Sequence, residues 1–286
     1  MATQAKRTVL ITGCSSGIGE ETARHLNERG WTVYATARNP EAIKGLADIG
    51  CTTLALDVTD EESMRTAVEA VHEGEGDDGL GALVNNAGYS QSGAVESVPL
   101  DSVRRQFETN VFGLVRMCQL VMPGMRKAGA GTIVNISSMG GRMVFPGGGI
   151  YHATKHAVEA ISDALRWEAA GFGIRVVCVE PGLIKTEFGN AAVGSIAGDL
   201  DVEGPYAEFN QTVARTTAGA YEGGLARLGG GPDAVAKVIQ RALTAKNPRP
   251  RYTVTPSAKL ALAQRRVVTD RMWDRLMGSQ FPRPGA

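Results

Sequence analysis

The chain has 286 residues, with 30 basic and 30 acidic side chains and a formal charge of zero. Such a balance argues against nucleic acid or an anionic membrane surface as a partner, since both select a basic excess. A hydrophobic share of 43% and a charged share of 21% are those of an ordinary globular chain, long enough for a large core.

Strand candidates and helix-period stretches alternate along most of the chain. In order, the strand candidates are Thr8–Thr12, Thr32–Thr36, Thr53–Val58, Ala82–Asn85, Thr132–Ser137 and Arg175–Glu180. Each is almost continuously apolar, the pattern of parallel strands covered on both faces. Helices are expected near Ile18–Arg29, Glu61–His72, Leu100–Lys127 and Tyr151–Ala170. The succession predicts an α/β fold with a doubly wound parallel sheet, helices on both faces, because right-handed crossovers place them there. After Pro181 the periodicity weakens: residues 187–230 are rich in Gly and Ala with scattered aromatics, and read as a substrate lid. A helix over Pro232–Ala245, a short strand over Tyr252–Thr255 and a tail, Ala258–Met277, of one or two amphipathic helices anchored by Trp273 complete the reading. The whole is expected to be one domain, 1–286, with a C-terminal extension over about 247–286.

Cys14, Cys51, Cys118 and Cys178 form no CxxC pair and no cluster with histidine, which suits reduced thiols and no metal site. The first apolar run, Val9 to Ile11, is too short for a signal-peptide core. No apolar stretch approaches the ~20 residues of a membrane helix. The cytoplasm is the expected location.

Glycine is the compositional outlier, 36 residues or roughly 13% against a usual ~7%. Part of that excess falls directly after the first strand, in Thr12-Gly13-Cys14-Ser15-Ser16-Gly17-Ile18-Gly19. A strand, a glycine loop and a helix N-terminus make a dinucleotide site, because backbone N–H groups and the helix dipole then face a pyrophosphate. The spacing departs from Gly-x-Gly-x-x-Gly, and a glycine cluster alone also serves as a plain turn. The second strand ends in Ala37-Arg38, where NAD enzymes usually place an acid for the ribose hydroxyls. An arginine there suits a 2′-phosphate, which selects NADP(H) over NAD(H), although a strand-end arginine is also an ordinary surface residue.

Tyr151 and Lys155 open the helix after the fifth strand at i,i+4, on one face and one turn apart. A phenol titrates near ~10, and a neighbouring ammonium pulls it toward neutrality. Ser138 precedes Tyr151 at the carboxyl end of a predicted strand, where α/β sheets place their sites.

With these residues the chain resembles the short-chain dehydrogenase/reductase family, in its single-domain branch with a Rossmann-type fold, densely over residues 7 to about 186. The resemblance assigns Gly13, Ser15, Ser16, Gly17, Ile18 and Gly19 to the cofactor loop and Asp57-Val58 to the adenine. Asn86, Ala87 and Gly88 match the motif after strand four, and Pro181, Gly182 and Thr186 the segment closing on the nicotinamide. Asn110, Ser138, Tyr151 and Lys155 match the catalytic set, Lys155 also holding the ribose hydroxyls. The implied reaction is hydride transfer between a nicotinamide and a carbonyl carbon, with Ser138 polarising the oxygen and Tyr151 as acid and base. The different-class alternative is a non-catalytic NADP(H)-binding redox sensor, which would not need the intact set.

His152 and His156 flank the pair but are expected to point off its face, into packing or solvent, and Cys14 has no cation beside it to make a reactive thiolate. Met139, Met143, Val144 and Phe145 are expected to line one pocket wall and Phe188 the lid, favouring a lipophilic ketone, aldehyde or alcohol. A lean toward hydroxysteroid- and retinol-dehydrogenase-like members follows from the Tyr34–Pro40 stretch and the long tail. The resemblance also implies a homodimer or homotetramer formed through the helices at 100–127 and 151–170.

Overall fold

The computed structural model describes residues 6–76, 79–189, 194, 204–222 and 228–285. Seven parallel strands, β1 (Thr8–Ile11), β2 (Thr32–Ala37), β3 (Thr52–Ala55), β4 (Ala82–Asn85), β5 (Gly131–Ile136), β6 (Ile174–Glu180) and β7 (Arg251–Thr253), form one sheet in the order β3-β2-β1-β4-β5-β6-β7. The order reverses between β1 and β4, and a crevice outside the carboxyl ends of the strands opens there.

Each central strand feeds two cores by strict alternation, as the two-residue period of a strand requires. Val9, Ile11, Val84, Val134, Val177 and Val179 face one helical layer, formed by α1 (Gly17–Asn27) and α8 (Pro232–Thr244). Leu10, Leu83, Ile133, Val176 and Cys178 face the other, formed by α3 (Glu61–Glu75), α5 (Gly113–Ala128) and α6 (Gly149–Ala170). Burying a side chain such as Leu83 or Ile133 stabilises the fold by ~1.5–3 kcal/mol. With both faces covered, the strands carry no polar alternation, which is why they read as continuous apolar runs.

Several elements differ from the sequence expectation. The third strand stops at Ala55, not Val58, because Asp57 turns the chain: its Oδ1 accepts from the Thr59 N–H and hydroxyl at 2.9 and 2.7 Å. After β2, Asn39 caps a 3-10 turn (Pro40–Ile43) that runs into a short helix, α2 (Lys44–Ala47). The long helix expected over 100–127 is split into α4 (Leu100–Phe107) and α5 by a π-turn at Glu108–Phe112. Within the stretch read as a lid, Ala207–Glu222 is a helix, α7. Residues 190–193, 195–203 and 223–227 of that expected lid lie outside the described residues.

The tail forms α9 (Pro256–Val267) and α10 (Asp270–Gly278), capped by Thr255 and Thr269. Trp273, Met277 and Phe281 recur every four residues and bury one stripe against Met143, Phe209 and Val213 in a third core. Trp273 Nε1 donates to the Val144 carbonyl at 3.2 Å, so the expected anchor fastens the tail to the loop before Tyr151. No helix of the described residues is long and apolar enough to cross a membrane.

Candidate active site

The crevice at the carboxyl edge of the sheet is a cavity of about 1240 Å³. Of the catalytic and cofactor residues assigned from the sequence, all but Gly19 and Asn110 line it. Of the expected pocket wall, Met139 and Phe145 line it, whereas Met143 is buried in the core beneath the tail and Val144 is turned outward, 46% exposed. Its floor is the loop after β1. Gly13 has φ +73°, and a Cβ there would lie 2.8 Å from the Ala87 Cα. Gly19 sits in the first turn of α1, where a Cβ would meet the Gly13 carbonyl oxygen at 2.2 Å. The loop is therefore folded directly onto its own helix and onto the segment after β4, with no room for a side chain at Gly13 or Gly19.

That segment is stitched to the loop by polar contacts. Thr12 Oγ1 accepts from the Asn86 and Ala87 N–H groups at 3.0 Å each. Asn86 Nδ2 donates to the Thr12 and Gly13 carbonyls at 2.9 and 2.8 Å. At the start of α1, Ser16 makes no side-chain cap, leaving the first-turn N–H groups without that partner. An uncapped helix end behind a glycine-rich loop, with Ser15 and Ser16 also on the cavity, fits a dinucleotide pyrophosphate. Arg38, exposed just after β2, lines the same cavity and makes no hydrogen bond or ion pair among the described residues. Thr186 closes over the loop from above, its Cγ2 3.1 Å from where a Cβ on Gly17 would be.

On the other side of the cavity, α6 carries Tyr151 and Lys155. Lys155 is buried, its Nζ donating to the Ile136 carbonyl at 2.8 Å and standing 5.8 Å from the centre of the Tyr151 ring. Burial lowers its pKa to about 8, against smaller raising effects of Cys178 and Glu159. Ser138 Oγ accepts from the Gly140 N–H at 3.0 Å, so its own proton is free to be donated elsewhere. Asn110 comes from the π-turn, a distortion common at functional sites. Its Oδ1 accepts from the Tyr89 N–H at 3.1 Å, and its Nδ2 donates to the Tyr89 carbonyl and to Thr154 Oγ1 at 2.9 and 3.1 Å. Asn110 thus clamps the segment after β4 to α6 from behind the cavity wall.

A charged network underlies the end of β6. Glu180, fully buried, accepts from Thr253 Oγ1 at 2.7 Å and faces Arg142 and Arg251 at 3.4 Å each. Arg251 also pairs with Glu159 at 2.8 Å and with Asp163. These contacts hold the backbone entering Pro181-Gly182. All four cysteines are free and buried, and burial pushes the Cys14 thiol up to about 12, so it carries no thiolate.

The model of the short chain dehydrogenase family matches residues 7–194. The chain belongs to that family. An NADPH-dependent 3-dehydrocapnine reductase from Ornithobacterium rhinotracheale is 36% identical to this dehydrogenase over 279 residues, 94% of this chain and 95% of that protein. A Bos taurus 17-beta-hydroxysteroid dehydrogenase type 6 is 34% identical, with 96% of this chain and 89% of that protein covered. The crystal structure of a short-chain dehydrogenase from Streptomyces avermitilis superposes with a TM-score of 0.79 at 34% identity over 96% of each chain.

Some cavity residues were not anticipated. Ser90, Gln91 and Ser92 are buried polar side chains on its wall, directly beyond the motif after β4. Gln280 and Phe281 reach it from the tail, where the four-residue spacing from Trp273 is the sequence signal for Phe281. His152 is packed, as expected, but against the cavity and not away from it: its ring lies 5.7 Å from that of Tyr151 and lines the wall.

Proposed function

We propose that this dehydrogenase is an NADP(H)-dependent oxidoreductase interconverting a lipophilic carbonyl compound and its alcohol, with Tyr151 as acid and base. The observation that carries this reading is the meeting of Tyr151, Lys155 and Ser138 with the glycine cradle and Arg38 in one cavity. The NADPH dependence of a reductase 36% identical supports the choice of cofactor.

The loop from Gly13 to Gly19 and the start of α1 would hold the pyrophosphate, Asp57-Val58 the adenine, and Arg38 the 2′-phosphate through charge-assisted hydrogen bonds. Asn86, Ala87, Gly88, Pro181, Gly182 and Thr186 would complete the nicotinamide end. The bound nicotinamide supplies the hydride. The chain's own work is to place and protonate the substrate oxygen. Ser138, its lone pair engaged by Gly140, donates its proton to that oxygen and orients it. Tyr151 gives its proton to the oxygen in reduction and takes it back in oxidation. Lys155, held on the Ile136 carbonyl, stabilises the phenolate by its charge. Asn110 keeps Tyr89 and Thr154, hence the walls on both sides of Lys155, in register.

The cavity wall around Tyr151 carries Met139, Phe145, Phe188, Val213 and Phe281, which favours a lipophilic substrate, while Arg105, Glu108 and Glu187 also line the cavity. Phe188 packs on the Tyr151 ring at 5.6 Å, consistent with a lid over 187–230. Phe112 and Trp167 stand 55% and 79% exposed on the helical faces through which a homo-oligomer is expected to form. The test is NADPH consumption over a panel of ketones and aldehydes, alongside NADH. Turnover of lipophilic ketones with NADPH supports the reading; NADPH binding with no turnover of any carbonyl turns it into a cofactor sensor.

A further inference from the structure

His152 adjoins the residue that handles the proton, yet nothing in the mechanism above uses it. The residue is only 7% exposed, and its ring is wedged between two glycines. A Cβ on Gly140 would lie 2.5 Å from His152 Cδ2, and one on Gly148 would lie 2.5 Å from Cε1. Any larger residue at either position would evict the ring.

The ring's hydrogen bonding defines its tautomer. Nδ1 accepts from the Phe145 N–H at 3.3 Å, so in the neutral imidazole the proton sits on Nε2. Burial, helped by the nearby His156, lowers its pKa to about 4 and keeps the ring neutral. Nε2–H is therefore a donor, and it has no hydrogen-bond partner among the described residues. Nor is it sealed in the protein, because it is absent from the buried unpartnered atoms and His152 lines the cavity. Open to the cavity, the Nε2–H is solvated there, and it becomes a costly unpaired donor only when a ligand displaces that water without accepting from it. Its position says where the ligand's acceptor must lie. The point where a Gly140 Cβ would stand is 3.0 Å from His152 Nε2 and 3.4 Å from Ser138 Oγ, so the two donors are neighbours.

We propose that His152 is a substrate-binding, specificity-determining side chain whose Nε2–H donates to a second oxygen of the substrate, borne on the carbon next to the reacting carbonyl. The substrate class is then a lipophilic ketone with an α-oxygen. This rests on the reading of the site as a carbonyl reductase, in which Ser138 takes the reacting oxygen. The glycines at 140 and 148 are the complement of that role, since they give the imidazole its seat beside Ser138.

Benzil and deoxybenzoin form a suitable pair, one carrying the α-oxygen and the other a methylene in its place. The ratio of their kcat/KM values with NADPH is measured for the wild-type chain and for His152→Phe, which fills the same seat without a donor. The ratio falls about tenfold in the variant, the worth of one hydrogen bond to a buried group; a general loss of structure lowers both values and cancels. His152→Gln, which regains an N–H donor, recovers part of the ratio. Calorimetry of the NADP⁺-loaded wild-type chain, where neither ketone turns over, gives tighter binding of benzil whatever the fate of the variants. An unchanged ratio in His152→Phe, or equal affinities in the wild type, overturns the proposal. Reduction of both ketones with an unchanged ratio removes His152 and leaves the carbonyl-reductase reading. Tighter benzil binding without turnover of either ketone leaves His152 and removes that reading.

Discussion

Arg38→Ala separates the two cofactors. The side chain is exposed, lies one residue past β2, and makes no contact to another charged or polar group among the described residues. Its removal leaves no buried partner stranded, so the folding free energy changes by less than ~0.5 kcal/mol, the usual range for a surface substitution. Its contribution to a bound 2′-phosphate is that of a hydrogen bond between charged groups, ~1.5–3 kcal/mol, or about 10–150-fold in NADPH affinity. NADH lacks the phosphate and keeps its affinity. Because the arginine is exposed, the NADPH advantage of the wild type shrinks as salt rises, and in Arg38→Ala that salt dependence weakens. Fluorescence titration of both cofactors at low and moderate salt reads all of this. Equal losses for NADPH and NADH, or none for either, would refute the assignment of Arg38 to the phosphate.

Gly19→Ala puts a methyl 2.2 Å from the Gly13 carbonyl oxygen and 2.5 Å from Asn86 Nδ2. Since the first of these is backbone, strain of ~1–3 kcal/mol and a lost Asn86 bond are expected, seen as a lower melting temperature and weakened cofactor binding. Arg251→Ala strips one of two cations from the buried Glu180 and the ion-pair partner from Glu159, and should cost ~3–5 kcal/mol in denaturant unfolding. With the Lys155 pKa near 8, its ammonium is charged below that pH and neutral above it. Reductive kcat/KM should therefore fall as pH rises through about 8, and a profile without an alkaline descending limb contradicts the role given to that charge.

The sheet was legible because its strands are buried on both faces: Val9-Leu10-Ile11 and Ala82-Leu83-Val84 feed opposite cores with alternate residues, and only an apolar run can do so. The candidate site was legible to the extent that its residues meet in one cavity where chemistry demands a residue type at a backbone-defined place, as with the glycines of the loop and the Tyr151–Lys155 turn. The π-turn at Glu108–Phe112 was not, because a helix that widens by one residue keeps its composition, and the change lies in which side chains it turns inward. Helix α7 was missed for a different reason. Its buried stripe, including Phe209 and Val213, packs on the distant tail residues Met277 and Phe281, a partnership no local pattern announces. His152 is similar: helical spacing correctly turns it off the face of Tyr151 and Lys155, but the loop from Ser138 to Gly148 folds around it and brings the cavity wall with it.

Tyr151→Phe is the most direct test of the central claim. Removing one hydroxyl from a ring otherwise held by α6 and Phe188 should lower ketone reduction by ~10²–10⁴-fold, the range for a positioned acid–base group, with NADPH affinity preserved. A variant that binds NADPH and reduces ketones at the wild-type rate would contradict the account.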